Sequence, residues 1–391
     1  MKKSPVETMT IYNFDEMIER RHSNSLKWDK YQGTDILPLW VADMDFRVSP
    51  AITHALKKRV EHGIFGYSRP PDELIQVVIN MLKEHYDWPV EKDWVVWLPG
   101  VVPGLSAACR AIGQPGDEAI CCTPIYHHFL HVPARSNRQL KTVPLQLEQG
   151  RWTFDFDALE SAFTEKTALF MLCNPHNPTG TVFNKDELQH LASLCAQHNV
   201  VICSDDIHCG LILDEYKKHI PISVAAPEIA DKTITLMAPS KTFNLAGLNA
   251  SFAIIPDRHL RQQLTSATKS ILPSISPFAF DAALAAFRDS EDWRQQLLVY
   301  LRQNRDLLNT KINQLEPLSM TKIEGTYLAW INIEQLGLDN PIKYFESFGL
   351  GFSPGKEFGD DRFIRLNFGC TQATLIEALK RLEIALTCHR Q

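Results

Sequence analysis

Residues 233–248 read TITLMAPSKTFNLAGL, an apolar run followed closely by a lysine, Lys241. Any single lysine is usually a solvated surface charge. A lysine at the end of an apolar strand is better suited to be a buried amine with a lowered pKa, which Schiff-base chemistry requires. The segments around it decide between the two.

Short apolar runs alternate with helical patterns through the middle of the chain. Apolar runs occur in DWVVWLPG (93–100), DEAICCTPIY (117–126), TALFMLCNPHNPTG (167–180) and VVICSDDIH (200–208). Helical spacing occurs in VPGLSAACRAIG (102–113) and KDELQHLASLCAQHN (185–199), the latter with an acidic first turn. This alternation predicts an α/β fold with a mainly parallel sheet covered by helices.

Polar residues follow these strands where each one stops. In open parallel sheets, ligands bind at the carboxyl ends of the strands. The residues concerned are Asn174, Asn177, Asp205, Asp206, His208, Ser240 and Lys241. These features also have ordinary explanations. Asp205 could be a helix N-cap or part of a structural ion pair, and NPTG (177–180) could be only a turn. The segment LPGVVPGL (98–105) could be a plain strand-to-helix turn, or it could form a phosphate site at a helix N-terminus.

The last third of the chain has a different character. SEDWRQQLLVYLRQNRDLLNTKINQL (290–315) predicts one long amphipathic helix, followed by the strands GTYLAWINI (325–333) and FIRLNFG (363–369) and a closing helix at 371–387. We therefore predict a large domain over residues 47–284 and a smaller α+β domain formed by residues 1–46 and 285–391.

Composition excludes several classes of protein. A net charge of −6, without basic runs, gives no reason to expect nucleic acid as a partner. Nine cysteines without a C-x-x-C pair predict reduced thiols and a cytoplasmic location. No apolar run approaches the ~20 residues that span a bilayer. Residues 1–17 carry two lysines without an apolar stretch behind them, so we expect no signal peptide and no membrane association.

Taken in chain order, the loop at 98–105, Tyr126, NPTG, Asp205 and the pair Ser240–Lys241 resemble the pyridoxal 5′-phosphate enzymes of the aspartate-aminotransferase fold, fold type I. The likeness covers nearly the whole chain. Within that superfamily, several segments resemble the MalY/PatB-like group of cystathionine β-lyases, or cysteine-S-conjugate β-lyases. These segments are LPLWVADMDF (37–46), GIFGYSRP (63–70), SDDIH (204–208), SKTFNLAGL (240–248), GTYLAW (325–330) and SPGKEFG (353–359).

The resemblance implies roles for the cofactor-binding residues. Lys241 would form the Schiff base and later move the Cα proton as general base, and Asp205 would keep the pyridine nitrogen protonated. Asn177 would donate to the phenolic oxygen of the ring and lie beside the substrate, while Tyr126 would stack on the ring. The phosphate would be bound by the N–H groups of Val101 and Val102 with the Ser240 hydroxyl.

Two further roles concern the substrate and a second subunit. Arg365 resembles the arginine that binds the substrate α-carboxylate, for which a bidentate guanidinium is well suited. Without the likeness, Arg365 would be read as a surface charge. Tyr67 resembles the tyrosine that reaches the phosphate of the neighbouring subunit's cofactor, which implies a homodimer with shared active sites.

The chain departs from the transaminase pattern at two cofactor-contacting positions. His208 stands where aspartate aminotransferases have a tyrosine, and Asn249 stands where they have a phosphate-binding arginine. Both departures favour the lyase group, although His208 remains a predicted cofactor contact.

We predict no metal site, because CSDDIHC (203–209) matches no standard zinc spacing and strand alternation would put Cys203 and Asp205 on one face without His208. HHFLH (127–131) predicts local packing beside Tyr126, and the alternative is that His127 or His128 contacts the substrate.

Three functions remain open at this point. The leading hypothesis is β-elimination from a small-molecule amino acid, either cystathionine or another cysteine S-conjugate. The products would be a thiol, pyruvate and ammonia. The second is an aminotransferase, which shares the early steps. The third is a regulatory protein that binds a partner through this fold and retains some lyase activity.

Overall fold

The computed structural model describes residues 10–389. The first and last residues of the predicted small domain therefore lie outside the described residues. The signal-peptide prediction concerns residues 1–17, of which residues 1–9 also lie outside them. The strands are β1 (Leu37–Pro38), β2 (Val95–Leu98), β3 (Glu118–Thr123), β4 (Gln139–Pro144), β5 (Gln146–Glu148), β6 (Arg151–Thr153), β7 (Thr167–Cys173), β8 (Val201–Asp205), β9 (Thr233–Met237), β10 (Ser251–Ile254), β11 (Ser319–Met320), β12 (Leu328–Asn332), β13 (Leu350–Gly351), β14 (Ser353–Pro354) and β15 (Phe363–Asn367).

The α-helices of the same residues are α1 (Leu26–Asp29), α2 (Pro50–His62), α3 (Asp72–Tyr86), α4 (Val101–Ala111), α5 (His127–Arg135), α6 (Phe156–Ala162), α7 (Lys185–Gln197), α8 (Ile222–Ala225), α9 (Arg258–Thr268), α10 (Pro277–Asp289), α11 (Glu291–Ile312), α12 (Pro341–Ser347) and α13 (Gln372–His389). Short 3₁₀-helices lie at Lys92–Trp94, Pro227–Lys232, Ala246–Leu248, Glu334–Leu336 and Gly355–Phe358.

The central sheet has seven strands in the order β2-β10-β9-β8-β7-β3-β4. Strands β4, β3, β7, β8 and β9 pair in parallel, whereas β10 is antiparallel to both β9 and β2. The predicted α/β fold with a mainly parallel sheet is confirmed. Strands β4 and β10 were not predicted, because β4 is a polar edge strand and β10 is a short apolar run directly behind the lysine segment.

Helices cover both faces of this sheet, and the strands alternate between two apolar cores. Ile120 and Phe170 belong to the core on one face, while their chain neighbours Cys121 and Leu169 belong to the core on the other. This period of two explains why the strands read as continuous apolar runs. Helix α4 lies so close to the sheet that a Cβ on Gly104 would be 2.8 Å from a methyl group of Leu236.

The C-terminal part forms a second, antiparallel sheet in the order β11-β12-β15-β14. The long helix α11 and the closing helix α13 pack in the same apolar core, and both were predicted. Phe14, Leu39 and Phe46 of the N-terminal segment join that core, and β1 pairs with β13. The domain boundaries at 46/47 and 284/285 stay predictions. No helix within residues 10–389 is both long enough and apolar enough to cross a membrane.

Candidate active site

A cavity of about 390 Å³ lies at the carboxyl ends of the central strands. The residues predicted for the site line it, with the exception of Tyr67: Val101, Val102, Tyr126, Asn177, Asp205, His208, Ser240, Lys241 and Arg365. Segments that are distant in sequence therefore converge on one space, as the strand-end argument predicts.

Lys241 lies in the loop that follows β9, and its side chain is partly buried. Its Nζ donates to the carbonyl oxygen of Ala42 at 2.7 Å. Burial and the nearby charge of Arg365 lower the pKa of Lys241 to about 8, against the opposing effect of Asp43 and Asp205. A substantial fraction of this amine is therefore neutral near physiological pH, as a nucleophile for an aldehyde must be.

Asp205 is the last residue of β8, and its side chain is almost fully buried. Its Oδ1 accepts a hydrogen bond from the N–H of Ile207 at 3.1 Å. Burial and the charge of Asp206 raise the pKa of Asp205 to about 7, while the Ile207 N–H and Lys241 act in the opposite direction. A buried carboxyl group with a raised pKa can share a proton with a neighbouring base, as the partner of a pyridine nitrogen must.

The N-terminus of α4 forms the opposite wall of the cavity. Its N-cap is Gly100, which supplies no capping side chain and has a φ of +147°, a conformation that favours glycine. Val101 and Val102 come first in the helix, where N–H groups have no intrahelical acceptor. Together with the Ser240 hydroxyl, they make a neutral donor set that fits a phosphate group.

Arg365 lies in the middle of β15 and is only 4% exposed. Its Nη1 donates to Asn177 Oδ1 at 3.0 Å, and its Nη2 donates to Trp40 O at 2.8 Å and to Ser353 Oγ at 3.3 Å. Its guanidinium carbon lies 4.5 Å from the centroid of the Phe358 ring. The residue-only reading of Arg365 as a surface charge is therefore wrong.

The hydrogen bonds of Arg365 leave part of its guanidinium unused. Its Nε is buried and has no hydrogen-bond partner. Nowhere in residues 10–389 does a carboxylate form an ion pair with it within 4.0 Å, and burial lowers its pKa to about 10. A buried cation without an acidic partner is costly, so the site suits a ligand that brings a carboxylate.

Tyr126 lies at the cavity and packs against the histidines that follow it. The Tyr126 ring centroid lies 4.5 Å from that of His127 and 5.1 Å from that of His128, which confirms the predicted local packing. His127 also lines the cavity, with a buried Nδ1 that has no partner. Burial and the neighbouring His128 lower the pKa of His127 to about 4, so its ring is neutral at physiological pH.

His208 lines the cavity beside Asp205 and is 2% exposed. Burial and the charges of Lys241 and Arg365 hold its pKa well below the usual value, which makes it a neutral imidazole. β8 ends at Asp205, so strand alternation no longer applies at His208, and both side chains line the cavity. Among residues 10–389, no group of three or more potential ligands is arranged to hold a metal.

Tyr67 lies outside this cavity. Its side chain is 99% exposed, in a stretch between α2 and α3 that has no regular secondary structure. Within one chain it therefore contacts none of the cofactor-binding candidates, and its predicted role stays a prediction.

Sequence reasoning missed the backbone acceptors of the site. The carbonyl of Ala42 accepts from both Lys241 Nζ and the Tyr327 hydroxyl, and the carbonyl of Trp40 accepts from Arg365. Any residue type presents a carbonyl, so composition carries no signal for these contacts. The segments LPLWVADMDF, GTYLAW and SPGKEFG pointed to the right places without identifying the atoms.

Comparison with known proteins gives consistent matches. The curated protein "Cystathionine beta-lyase PatB" of Bacillus subtilis (strain 168) is 37% identical over 387 residues, covering 96% of this chain and 100% of that protein. The solved structure of OvoB is 44% identical with a TM-score of 0.94, covering 96% of this chain and 99% of that one. The pyridoxal-phosphate-bound C-S lyase of Staphylococcus hominis, solved with L-cycloserine, is 28% identical with a TM-score of 0.91, covering 96% and 98%.

These matches confirm the resemblance inferred from the motifs. Residues 34–382 match the model of the family described as aminotransferase class I and II. The chain belongs to the aminotransferase class I and II family.

Proposed function

We propose that this chain is a pyridoxal 5′-phosphate-dependent carbon–sulfur β-lyase that acts on cystathionine or a related cysteine S-conjugate. One observation carries the proposal: Lys241 with its lowered pKa, the buried Asp205, and Arg365, which forms no ion pair with a carboxylate of residues 10–389, converge on one cavity. The relatives named as cystathionine β-lyase and C-S lyase, which match nearly the full chain, support it.

The cavity fits the cofactor at each of its polar groups. The Asp205 carboxyl suits the pyridine nitrogen, the Asn177 amide the phenolic oxygen, and the N–H groups of Val101 and Val102 the phosphate. Tyr126 supplies an aromatic wall for the ring. His208 presents a neutral imidazole at the same end as Asp205, and we place it among the residues that contact the cofactor.

When bound, pyridoxal 5′-phosphate draws electrons from the substrate Cα and so allows the Cα proton to leave. Arg365 binds the substrate α-carboxylate through its positive charge and the Nη1–H that the protein leaves free, which orients the Cα–H bond. Lys241, as a neutral amine, takes that proton. The sulfur substituent then leaves from Cβ as a thiolate, and the released enamine takes up water to give pyruvate and ammonia.

The decisive experiment incubates purified holoenzyme with cystathionine and no 2-oxo acid. Thiol, pyruvate and ammonia should appear in equal amounts through many turnovers. Strict dependence on a 2-oxo acid, with no thiol released, would assign the protein to the aminotransferases instead.

We also propose a homodimer in which Tyr67 completes the phosphate site of the partner's cavity. Two features support this. Tyr67 belongs to an exposed apolar patch with Ile64 and Phe65, which are 68% and 56% exposed. The phosphate end of the cavity presents only neutral donors from its own chain, because Asn249 stands where an arginine would neutralise the phosphate charge.

We place the reaction in the cytoplasm. The nine cysteines are all unpaired in the structure, and all but Cys209 and Cys388 are buried. Such thiol usage is typical of proteins from reducing compartments.

A further inference from the structure

Behind Asp205 lies a second buried carboxylate, Asp206, which the proposed mechanism does not use. Asp205 faces the cavity, whereas Asp206 is absent from its lining and is fully buried. Its backbone N–H donates to Leu236 O at 2.8 Å, which fixes the residue against β9. Since Asp205 lines the cavity and Asp206 does not, the two carboxyl groups face different sides of the sheet edge.

Asp206 is bound on both of its oxygens. The Ser204 hydroxyl donates to Oδ1 in a short hydrogen bond, and His219 Nε2 lies 2.8 Å from Oδ2. The side chains of Asp206 and His219 are both fully buried. A buried carboxylate that receives two hydrogen bonds keeps its charge, whereas an unpartnered one takes up a proton.

The surroundings of His219 determine how many protons its ring can carry. Its Nδ1 is buried and has no hydrogen-bond partner among residues 10–389, and the Tyr86 ring packs edge-on at 5.4 Å between centroids. A proton on Nδ1 would have no acceptor, so the geometry places the single ring proton on Nε2, where it is donated to Asp206. The pair Asp206–His219 then has a net negative charge.

Other titratable groups near the pair do not cancel this charge. Burial raises the pKa of the Tyr86 hydroxyl and of the Cys173, Cys203 and Cys209 thiols, so all four are neutral at physiological pH. Arg294, the cation on α11, forms an ion pair with Glu291 at 2.6 Å. Lys241 and Arg365 lie on the cavity side with Asp205.

We propose that Asp206 and His219 are a positioning pair whose fixed negative charge, acting through Asp205, keeps a proton on the pyridine nitrogen of the bound cofactor. The inference rests on the proposed function, since it requires the cofactor in the cavity. Asp206 touches neither cofactor nor substrate, and its field favours the protonated ring because a negative charge stabilises a nearby cation.

The test follows the ring nitrogen directly in holoenzyme loaded with cofactor labelled with ¹⁵N in the ring. The ¹⁵N chemical shift, recorded against pH, reports the protonation of that atom. Asp206→Asn should lose the ring proton at a pH about one unit lower than wild type, which corresponds to about 1.4 kcal/mol of lost charge stabilisation. Asp231→Asn is the matched control, because it makes the same substitution at an exposed aspartate.

Variants of His219 test the same proposal independently, in case the Asp206→Asn protein does not fold. His219→Leu leaves the buried carboxylate short of a donor, so it should become protonated and shift the titration as Asp206→Asn does. His219→Gln restores an N–H donor and should titrate like wild type. If all variants titrate like wild type, the proposal is overturned. If wild type binds no cofactor at all, the proposed function fails instead.

Discussion

Replacing Arg365 separates substrate binding from cofactor binding. The guanidinium has five N–H donors, and the protein uses three of them, on Asn177, Trp40 and Ser353. The Nε–H is buried, so one Nη1–H and the charge of the guanidinium remain for a substrate carboxylate. A charge-assisted hydrogen bond contributes about 1.5–3 kcal/mol.

Arg365→Ala should therefore lower kcat/KM for cystathionine by about tenfold or more. Arg365→Lys keeps a charge but loses the planar guanidinium, so we expect a smaller loss than for Arg365→Ala. The cofactor should remain bound in both variants, because Arg365 is not among the residues that we propose bind it. Arg362→Ala is the matched control, because Arg362 precedes β15 and pairs with Asp360 at the protein surface.

The assay combines steady-state thiol release with the absorbance spectrum of the bound cofactor. Two results would contradict the reasoning. One is an Arg365→Ala enzyme with the kcat/KM of Arg362→Ala. The other is loss of the cofactor with substrate affinity retained, which would place Arg365 at the cofactor instead.

The remaining predictions concern Lys241 and the dimer. Borohydride reduction of the holoenzyme should attach the cofactor to the peptide that contains Lys241, and Lys241→Ala should lower elimination by at least about 100-fold; label on another lysine refutes the assignment. The rate at which apoenzyme takes up the cofactor should rise with pH through about 8 and level off above it, because burial and Arg365 lower the pKa of Lys241 and only the neutral amine reacts. Arg365→Ala should move that midpoint to higher pH, and a rate independent of pH between about 7 and 9 would contradict the lowered pKa. Mixing Lys241→Ala with Tyr67→Phe protein under subunit exchange should produce hybrids with one intact site and hence recovered activity; a fully active monomer excludes shared sites.

Strand positions in the fold were predictable because burial on both faces leaves a strong pattern. β7, β8 and β9 are buried by helices on either side, so they read as continuous apolar runs that stop at polar residues. β4 lies at the sheet edge with a mixed burial pattern, and it has no such signature. The long helix α11 was predicted for a related reason, since its apolar residues recur along one face.

The candidate site was predictable where its chemistry needs a particular side chain, and less so elsewhere. Lys241 and Asp205 follow strands, so their positions could be read from the pattern together with the family likeness. Arg365 could be identified from the family likeness alone, because it lies inside β15 and a local window does not show that this strand borders the cavity. The same limit applies to His208, whose place follows from the turn after β8 rather than from strand alternation.

The segment from Trp40 to Asp43 explains how the two halves of the site are held in register. Its successive carbonyls accept from Arg365, Asn367 and Lys241, and the Asn367 amide also reaches the carbonyl of Asp43. Arg365 and Asn367 both belong to β15, whereas Lys241 follows β9 of the central sheet. One short stretch of N-terminal backbone therefore holds both Arg365 and Lys241, the residues that we propose bind the substrate carboxylate and take the Cα proton. Backbone geometry performs this alignment, which is why the motif around Trp40 was visible in the sequence while its purpose was not.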